Sequence, residues 1–147
     1  MFPGSAQPQR LVLDTAVLVS RLLKPQSIPG QLVTWALHHA VVLVAQSTIA
    51  ELVDVLNRPK FAAYIDRADS KDFVQELLGV SEWVTVTIAI QACRDPGDDQ
   101  FLALAVAGQA DAIISSDEDL LTLHPFHGIS IQTPRVYWDQ IDHPGSN

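Results

Sequence analysis

Three short aliphatic runs, residues 11–13 (LVL), 41–44 (VVLV) and 112–114 (AII), each precede a stretch with helical spacing, and this alternation narrows the folds open to the chain. An unbroken run of three or four such residues is what a strand covered on both faces requires. Short strands alternating with helices imply a parallel sheet between two helical layers, an α/β architecture. The spacing of Val17, Leu18, Leu22 and Leu23 predicts the first helix. Pro25 and Pro29-Gly30 interrupt it, and residues 32–39 resume helical spacing.

Downstream, Thr48 with Glu51 three residues later reads as a capping box, and Ile49, Leu52, Val53 and Leu56 give that helix its apolar stripe. Residues 61–65 and 72–78 read as two short helices, and the alternation over 83–88 (WVTVTI) predicts a strand. Asp95 followed by Pro96 marks a helix start, with Gly108 as its stop. Residues 120–123 suit a short helix, 129–131 a last strand and 136–141 a terminal amphipathic helix. No internal repeat is visible.

A chain of 147 residues buries about 68% of the surface its unfolded form exposes, enough for a core without disulfides or a structural metal. Residues 10–142 are expected to form one domain, between a flexible leader over 1–9 and a tail over 143–147. The longest aliphatic run, residues 40–45, is too short to span a bilayer, and the N-terminal residues carry no secretory pattern. The cytoplasm is the expected compartment. The single cysteine, Cys93, excludes an internal disulfide and a Cys-rich zinc site.

Seventeen acidic residues against nine Lys and Arg give a net charge of −8. That balance argues against a general polyanion binder, whose affinity rests on Lys and Arg displacing counterions. It suits a site for hard divalent cations, which take oxygen ligands. The acids are placed accordingly. Two strands end in acids, Leu13-Asp14 and Ile114-Ser115-Ser116-Asp117, and ligands of open parallel sheets bind at the carboxyl ends of strands. Asp98 opens one helix and Glu51 lies in the first turn of another, so all four acids can gather at one end of the sheet. Carboxylates so grouped raise one another's pKa, and a pair of Mg²⁺ or Mn²⁺ ions relieves the conflict.

Each acid also has a purely structural explanation. Asp14 and Asp117 suit helix caps, Glu51 suits the capping box, Asp95 is assigned to capping, and Asp98 and Asp99 complement a helix dipole. Joint placement favours the functional reading. The chain has no nucleophile elbow, P-loop or dinucleotide fingerprint, and His38, His39, His124 and His127 suit surface or capping positions.

Residues 11–20 (LVLDTAVLVS), 47–61 (STIAELVDVLNRPKF), 94–105 (RDPGDDQFLALA), 110–121 (ADAIISSDEDLL) and 128–134 (GISIQTP) together resemble the PIN-domain family, in particular bacterial toxins related to VapC. The resemblance spans nearly the whole chain after Arg10 in the family's order. It implies a three-layer α/β/α fold with a mostly parallel sheet and a Mg²⁺- or Mn²⁺-dependent ribonuclease site. Carried over by position, the metal and catalytic acids are Asp14, Glu51, Asp98 and Asp117. Ser115 stands at the Ser or Thr two residues before the last acid. Phe101 and Ala105, at +3 and +7, select Asp98 over Asp99, which becomes an outer contributor. The family usually reads Asp-Thr-Asn at its first acid. Here Ala16 replaces the Asn and removes a polar side chain, a change that can weaken metal affinity.

The resemblance further implies an RNA substrate, a cognate antitoxin protein seated across the site groove near residues 31–39 and 58–65, and a homodimer. Arg21, Lys24, Arg58 and Lys60 are candidates for the RNA backbone, with solubilising surface charge as their alternative. Two other classes compete. A phosphorylated receiver domain needs a lysine late in the chain, and the last one is Lys71. An inactive PIN domain that binds RNA or protein without turnover has Ala16 as its support.

Overall fold

Strand β1 (Arg10–Leu13) lies at the centre of the sheet because its side chains are consumed alternately by two cores. Leu11 and Leu13 join one cluster and Val12 the other. The same period of two divides β2 (Val41–Val44) and β4 (Ala112–Ile114): Val42, Val44, Ala112 and Ile114 face the first core, Leu43 and Ile113 the second. Both faces being covered, the strands carry no polar alternation. The structure is a computed structural model that describes residues 7–144.

With β3 (Glu82–Trp83) and β5 (Ser130–Gln132), the sheet has five strands in the order β3-β2-β1-β4-β5, all parallel. The chain moves outward from β1 on one side through β2 and on the other through β4. The carboxyl ends of β1 and β4 therefore flank the switch point where such sheets form their crevice. Leu13 is in register with Ile114, and the Asp14 amide donates to the Ile114 carbonyl over 3.2 Å. Asp14 and Ser115 consequently leave the sheet side by side.

Helices α1 (Thr15–Leu23), α2 (Ile28–His39), α3 (Gln46–Leu56), α5 (Arg67–Val80) and α8 (Pro134–Gln140) supply the first core with Val17, Leu32, Leu52, Phe73 and Trp138. Helices α6 (Asp99–Ala107) and α7 (Glu118–Leu121) supply the second with Leu102 and Leu120. Between α3 and α5, α4 (Pro59–Ala62) is a single turn. The expected three-layer α/β/α arrangement is the one observed.

Several sequence expectations need correction. Pro29 and Gly30 do not end a helix; they sit in the first turn of α2, where proline has no amide to lose and Ser27 caps the Gly30 amide. Gly30 is needed there, since a Cβ would lie 2.5 Å from the Lys24 carbonyl oxygen. The helix expected over 61–65 is instead the turn α4 starting at Pro59, and the one over 72–78 is the longer α5, capped by Asp66 through the Ala68 amide. The strand expected over 83–88 stops at Trp83. Its neighbour β2 ends at Val44, whose carbonyl accepts the Val84 amide at 2.8 Å, and Ala45 then caps α3, so among the described residues the strand pairing goes no further.

The expected leader (1–9) and tail (143–147) lie partly outside the described residues. Within them, the Gln9 carbonyl accepts the Val41 amide, and the His143 ring stacks on Trp138 at 3.7 Å. Among the described residues, no helix is long and apolar enough to cross a membrane.

Candidate active site

Asp14 ends β1 and caps α1, its Oδ1 accepting the Val17 amide at 2.8 Å. Its Oδ2 accepts the Ser115 hydroxyl. The residue is only 6% exposed, and burial pushes its pKa above the usual carboxylate range. The Ser115 and Val17 hydrogen bonds pull the other way, and the charges of Asp117 and Glu51 add to the rise. Ser115 is wholly buried at the end of β4, and its Oγ accepts the Asp117 amide at 3.0 Å. One hydroxyl thus fixes the spacing between the acids that end the two strands.

Asp98 closes the 3₁₀ turn Pro96–Asp98, which Asp95 caps by accepting the Gly97 amide. Carboxylate oxygens of Asp98, Asp117 and Asp119 come within 4.8 Å of one another. Asp98 Oδ2 is buried without a hydrogen-bond donor. Burial, then the close approach of Asp117, pushes the Asp98 pKa up to about 7. Asp117 also caps α7 through the Asp119 amide at 2.9 Å. Asp119 was not singled out by sequence; its signal was the spacing of two from Asp117 in the first turn of α7.

Asp99 is engaged elsewhere. Its Oδ1 accepts the Cys93 and Ala92 amides at 2.7 and 2.9 Å, which lowers its pKa and ties down the preceding loop. Burial and Asp99 push the Cys93 thiol up to about 12, which leaves it inert as a thiolate nucleophile.

Glu51 projects from α3 toward this end of the sheet. The expected capping box is displaced: Ala45 is the N-cap, and Thr48, at the third helical position, accepts the Ala45 amide with its hydroxyl. Glu51 is therefore free of that duty. It accepts the Thr15 hydroxyl and, at 3.0 Å, the Gln100 side-chain amide, which also donates to the Gly97 carbonyl. Thr15 follows Asp14, and Gln100 follows Asp98 by two residues, so Glu51 is joined to the other acids through two neutral side chains. Sequence reading did not select either one. Ala16 is exposed beside them.

Next to Glu51, Thr15, Ala16, Arg58, Lys60 and Phe61 line a cleft of 380 Å³. Arg58 pairs with Asp54 at 3.3 Å, and the Lys60 ammonium lies 5.1 Å from the Phe61 ring centroid. Arg21 pairs with Glu76 and lies over Phe73. His124 accepts the Ile131 amide and is not among the acids.

Chemically, the cluster offers hard anionic oxygens in excess of local cations, one of them buried and unpartnered. That donor set fits a divalent cation of the Mg²⁺ or Mn²⁺ kind and suits neither zinc in a thiolate site nor a nucleotide phosphate.

A family model described as the PIN domain matches residues 10–119. The chain belongs to the PIN-domain family. Its matched span runs from β1 through the aspartates at the start of α7, so it includes every acid described above. A curated relative, the uncharacterized protein MJ1680 of Methanocaldococcus jannaschii, is 28% identical over 78% of this chain and 74% of its own. Among solved structures, PAE2754 of Pyrobaculum aerophilum superposes with a TM-score of 0.59 at 15% identity, covering 95% of this chain and 92% of that one. VapBC2 of Rickettsia felis, solved bound to a DNA fragment from its promoter, gives 0.56 at 11% identity over 84% and 98%. These two likenesses establish that the PIN fold is shared.

Proposed function

We propose that this PIN domain, spanning residues 10–142, is a Mg²⁺- or Mn²⁺-dependent endoribonuclease that acts in the cytoplasm as the toxin of a toxin–antitoxin pair. The observation that carries the reading is the buried, donorless oxygen of Asp98 beside Asp117. Such an oxygen is costly to keep unless a cation or a proton completes it. Family membership adds weight, since PIN domains are generally metal-dependent nucleases.

Asp14, Asp98 and Asp117 would hold the cation, with Glu51 completing the set and Asp99 outside it. A cation bound there supplies a water of lowered pKa and neutralises charge growing on the leaving oxygen of a phosphodiester. Ser115 orients Asp14 and sets its distance from Asp117. Thr15 and Gln100 fix the Glu51 carboxylate. Arg58 and Lys60, at the cleft beside Glu51, suit the RNA backbone.

Membership of the PIN-domain family, with the fold shared with VapBC2, suits a cognate antitoxin seated near α2 and residues 58–65 and a homodimer of this chain. A second reading, an RNA- or protein-binding domain without turnover, is favoured by the exposed Ala16 where the family carries a polar residue.

Cleavage of labelled single-stranded RNAs by the purified protein distinguishes the two. Mn²⁺ or Mg²⁺ is expected to support cleavage, EDTA to stop it and Asp117→Asn to reduce it at least about a hundredfold, since even residues that only orient ligands cost 10–100-fold. A folded wild-type protein that cuts no RNA with either metal would leave only the binding reading.

A further inference from the structure

We propose that Arg94 grips the substrate phosphate beside the acid cluster and is held there by Asp119 until RNA arrives; this rests on the nuclease reading above. Arg94 Nη2 lies 3.2 Å from Asp119 Oδ1. Among the described residues, no other ion pair reaches the Asp98, Asp117 and Asp119 group: Arg10 pairs with Glu82, Arg21 with Glu76 and Arg58 with Asp54. Arg94 opens the 94–105 stretch that carries the family resemblance, which assigns it neither a ligand nor a catalytic role.

Its setting is that of a presented side chain. The Arg94 side chain is 88% exposed, whereas that of Asp119 is 22% exposed. The backbone that carries Arg94 is fixed on both sides. Asp99 Oδ1 accepts the amides of Ala92 and Cys93 just before it, and Asp95 just after it accepts the Gly97 amide in the turn that delivers Asp98. A long cation is thus mounted on a pinned loop at the rim of an acidic site. Asp95, expected from sequence as a cap, and Asp99, expected as an outer contributor to the site, do the pinning.

The chemistry favours a phosphodiester as its partner. Guanidinium presents a planar fork of donors that matches two phosphate oxygens, and it keeps its charge at any working pH. An ion pair as exposed as Arg94–Asp119 is weak and easily exchanged. A cation held by the neighbouring Asp98 and Asp117 would weaken the hold of Asp119 on Arg94 further, and the phosphate of a bound RNA would offer the guanidinium a pair of oxygens in matching geometry. The cationic cleft at Arg58 and Lys60 lies on the Glu51 side of the site, so Arg94 would add a separate point of contact to the same strand.

Fluorescence anisotropy with a labelled 2′-O-methyl single-stranded oligonucleotide in Ca²⁺ buffer tests this without relying on turnover. Arg94→Ala is expected to weaken binding about tenfold and to lower the slope of log Kd against log salt by about 0.7, the loss of one phosphate contact to a single strand. Arg94→Lys should keep the slope and recover only part of the affinity, because it retains the charge and loses the fork. Arg135→Ala, which removes an exposed arginine from α8, should change neither quantity. Wild-type affinity and slope in Arg94→Ala would overturn the proposal, as would an equal loss in Arg135→Ala. If wild type binds the oligonucleotide through Arg94 yet cleaves no RNA with any metal, the nuclease reading fails and the Arg94 contact stands. If wild type cleaves and Arg94→Ala binds normally, only the Arg94 contact fails.

Discussion

Asp98→Asn is expected to abolish catalysis and stabilise the metal-free protein at the same time. Cleavage should fall at least about a hundredfold, because the change removes a proposed ligand itself and not merely a group that orients one. Stability should move the other way. Burial and the neighbouring Asp117 raise the folded-state pKa of Asp98 from 3.8 to about 7. Between those two values the native state binds a proton that the unfolded chain has released, so stability falls as pH rises through that window. Below pH 4 the penalty is absent, and above pH 7 it is fully present.

Three pKa units correspond to about 4 kcal/mol. Because Asp98 retains some contact with water, about 1–2 kcal/mol is the effect to expect after screening. Urea unfolding in EDTA at pH 5 and pH 8 measures it. Wild type should lose stability over that interval, Asp98→Asn should lose less, and Mn²⁺ at pH 8 should restore much of the wild-type loss by binding the native state alone. Parallel pH dependence in both proteins would mean that Asp98 carries no such strain.

Ser115→Ala is expected to produce the second large effect. The Ser115 hydroxyl donates to Asp14 and accepts the Asp117 amide, and both it and Asp14 are buried. Its removal leaves a buried carboxylate with one donor fewer and a backbone amide unpaired, at a cost of about 1–3 kcal/mol. It also frees the two strand-end acids from their common tether, which should lower cleavage about 10–100-fold. Losing the hydrogen bond that favours the ionised form pushes the Asp14 pKa higher still. The acidic limb of the pH–rate profile should therefore move to higher pH. Ser115→Thr keeps the hydroxyl and should recover most of the activity. An unshifted acidic limb in Ser115→Ala would show that Ser115 only packs.

The central strands were legible in the sequence because each is buried on both faces, which writes an uninterrupted aliphatic run. Asp95 and Gly108 were legible as helix punctuation for equally local reasons, and both bound the helical segment they were assigned to. The 83–88 stretch was misread because alternation reports a potential strand, whereas its length was set by β2 ending at Val44 in another part of the chain. Thr48 and Glu51 show a register problem: the same spacing of three suits an N-cap with its partner or, as found, the third helical position with Ala45 as the cap.

At the site, the aspartates at strand and helix ends could be nominated from sequence but their partners could not, and Glu51, expected in a first helical turn, lies midway along α3. Asp98 and Asp99 are adjacent, yet one joins the aspartate group and the other binds the Ala92 and Cys93 amides. The family spacing to Phe101 and Ala105 favours Asp98, and the turn Pro96–Asp98 sets which of the two points where. Thr15 and Gln100 meet Glu51 across 36 and 49 residues of sequence, a proximity that local pattern does not encode.

The most direct test of the account is an anomalous difference map from crystals of this protein grown with Mn²⁺. A peak in contact with the Asp98 and Asp117 carboxylates, absent from Asp98→Asn crystals, is the expected result. A well-ordered map with manganese elsewhere, or with none at these aspartates at millimolar metal, would contradict the claim that Asp98 and Asp117 hold a cation at this end of the sheet.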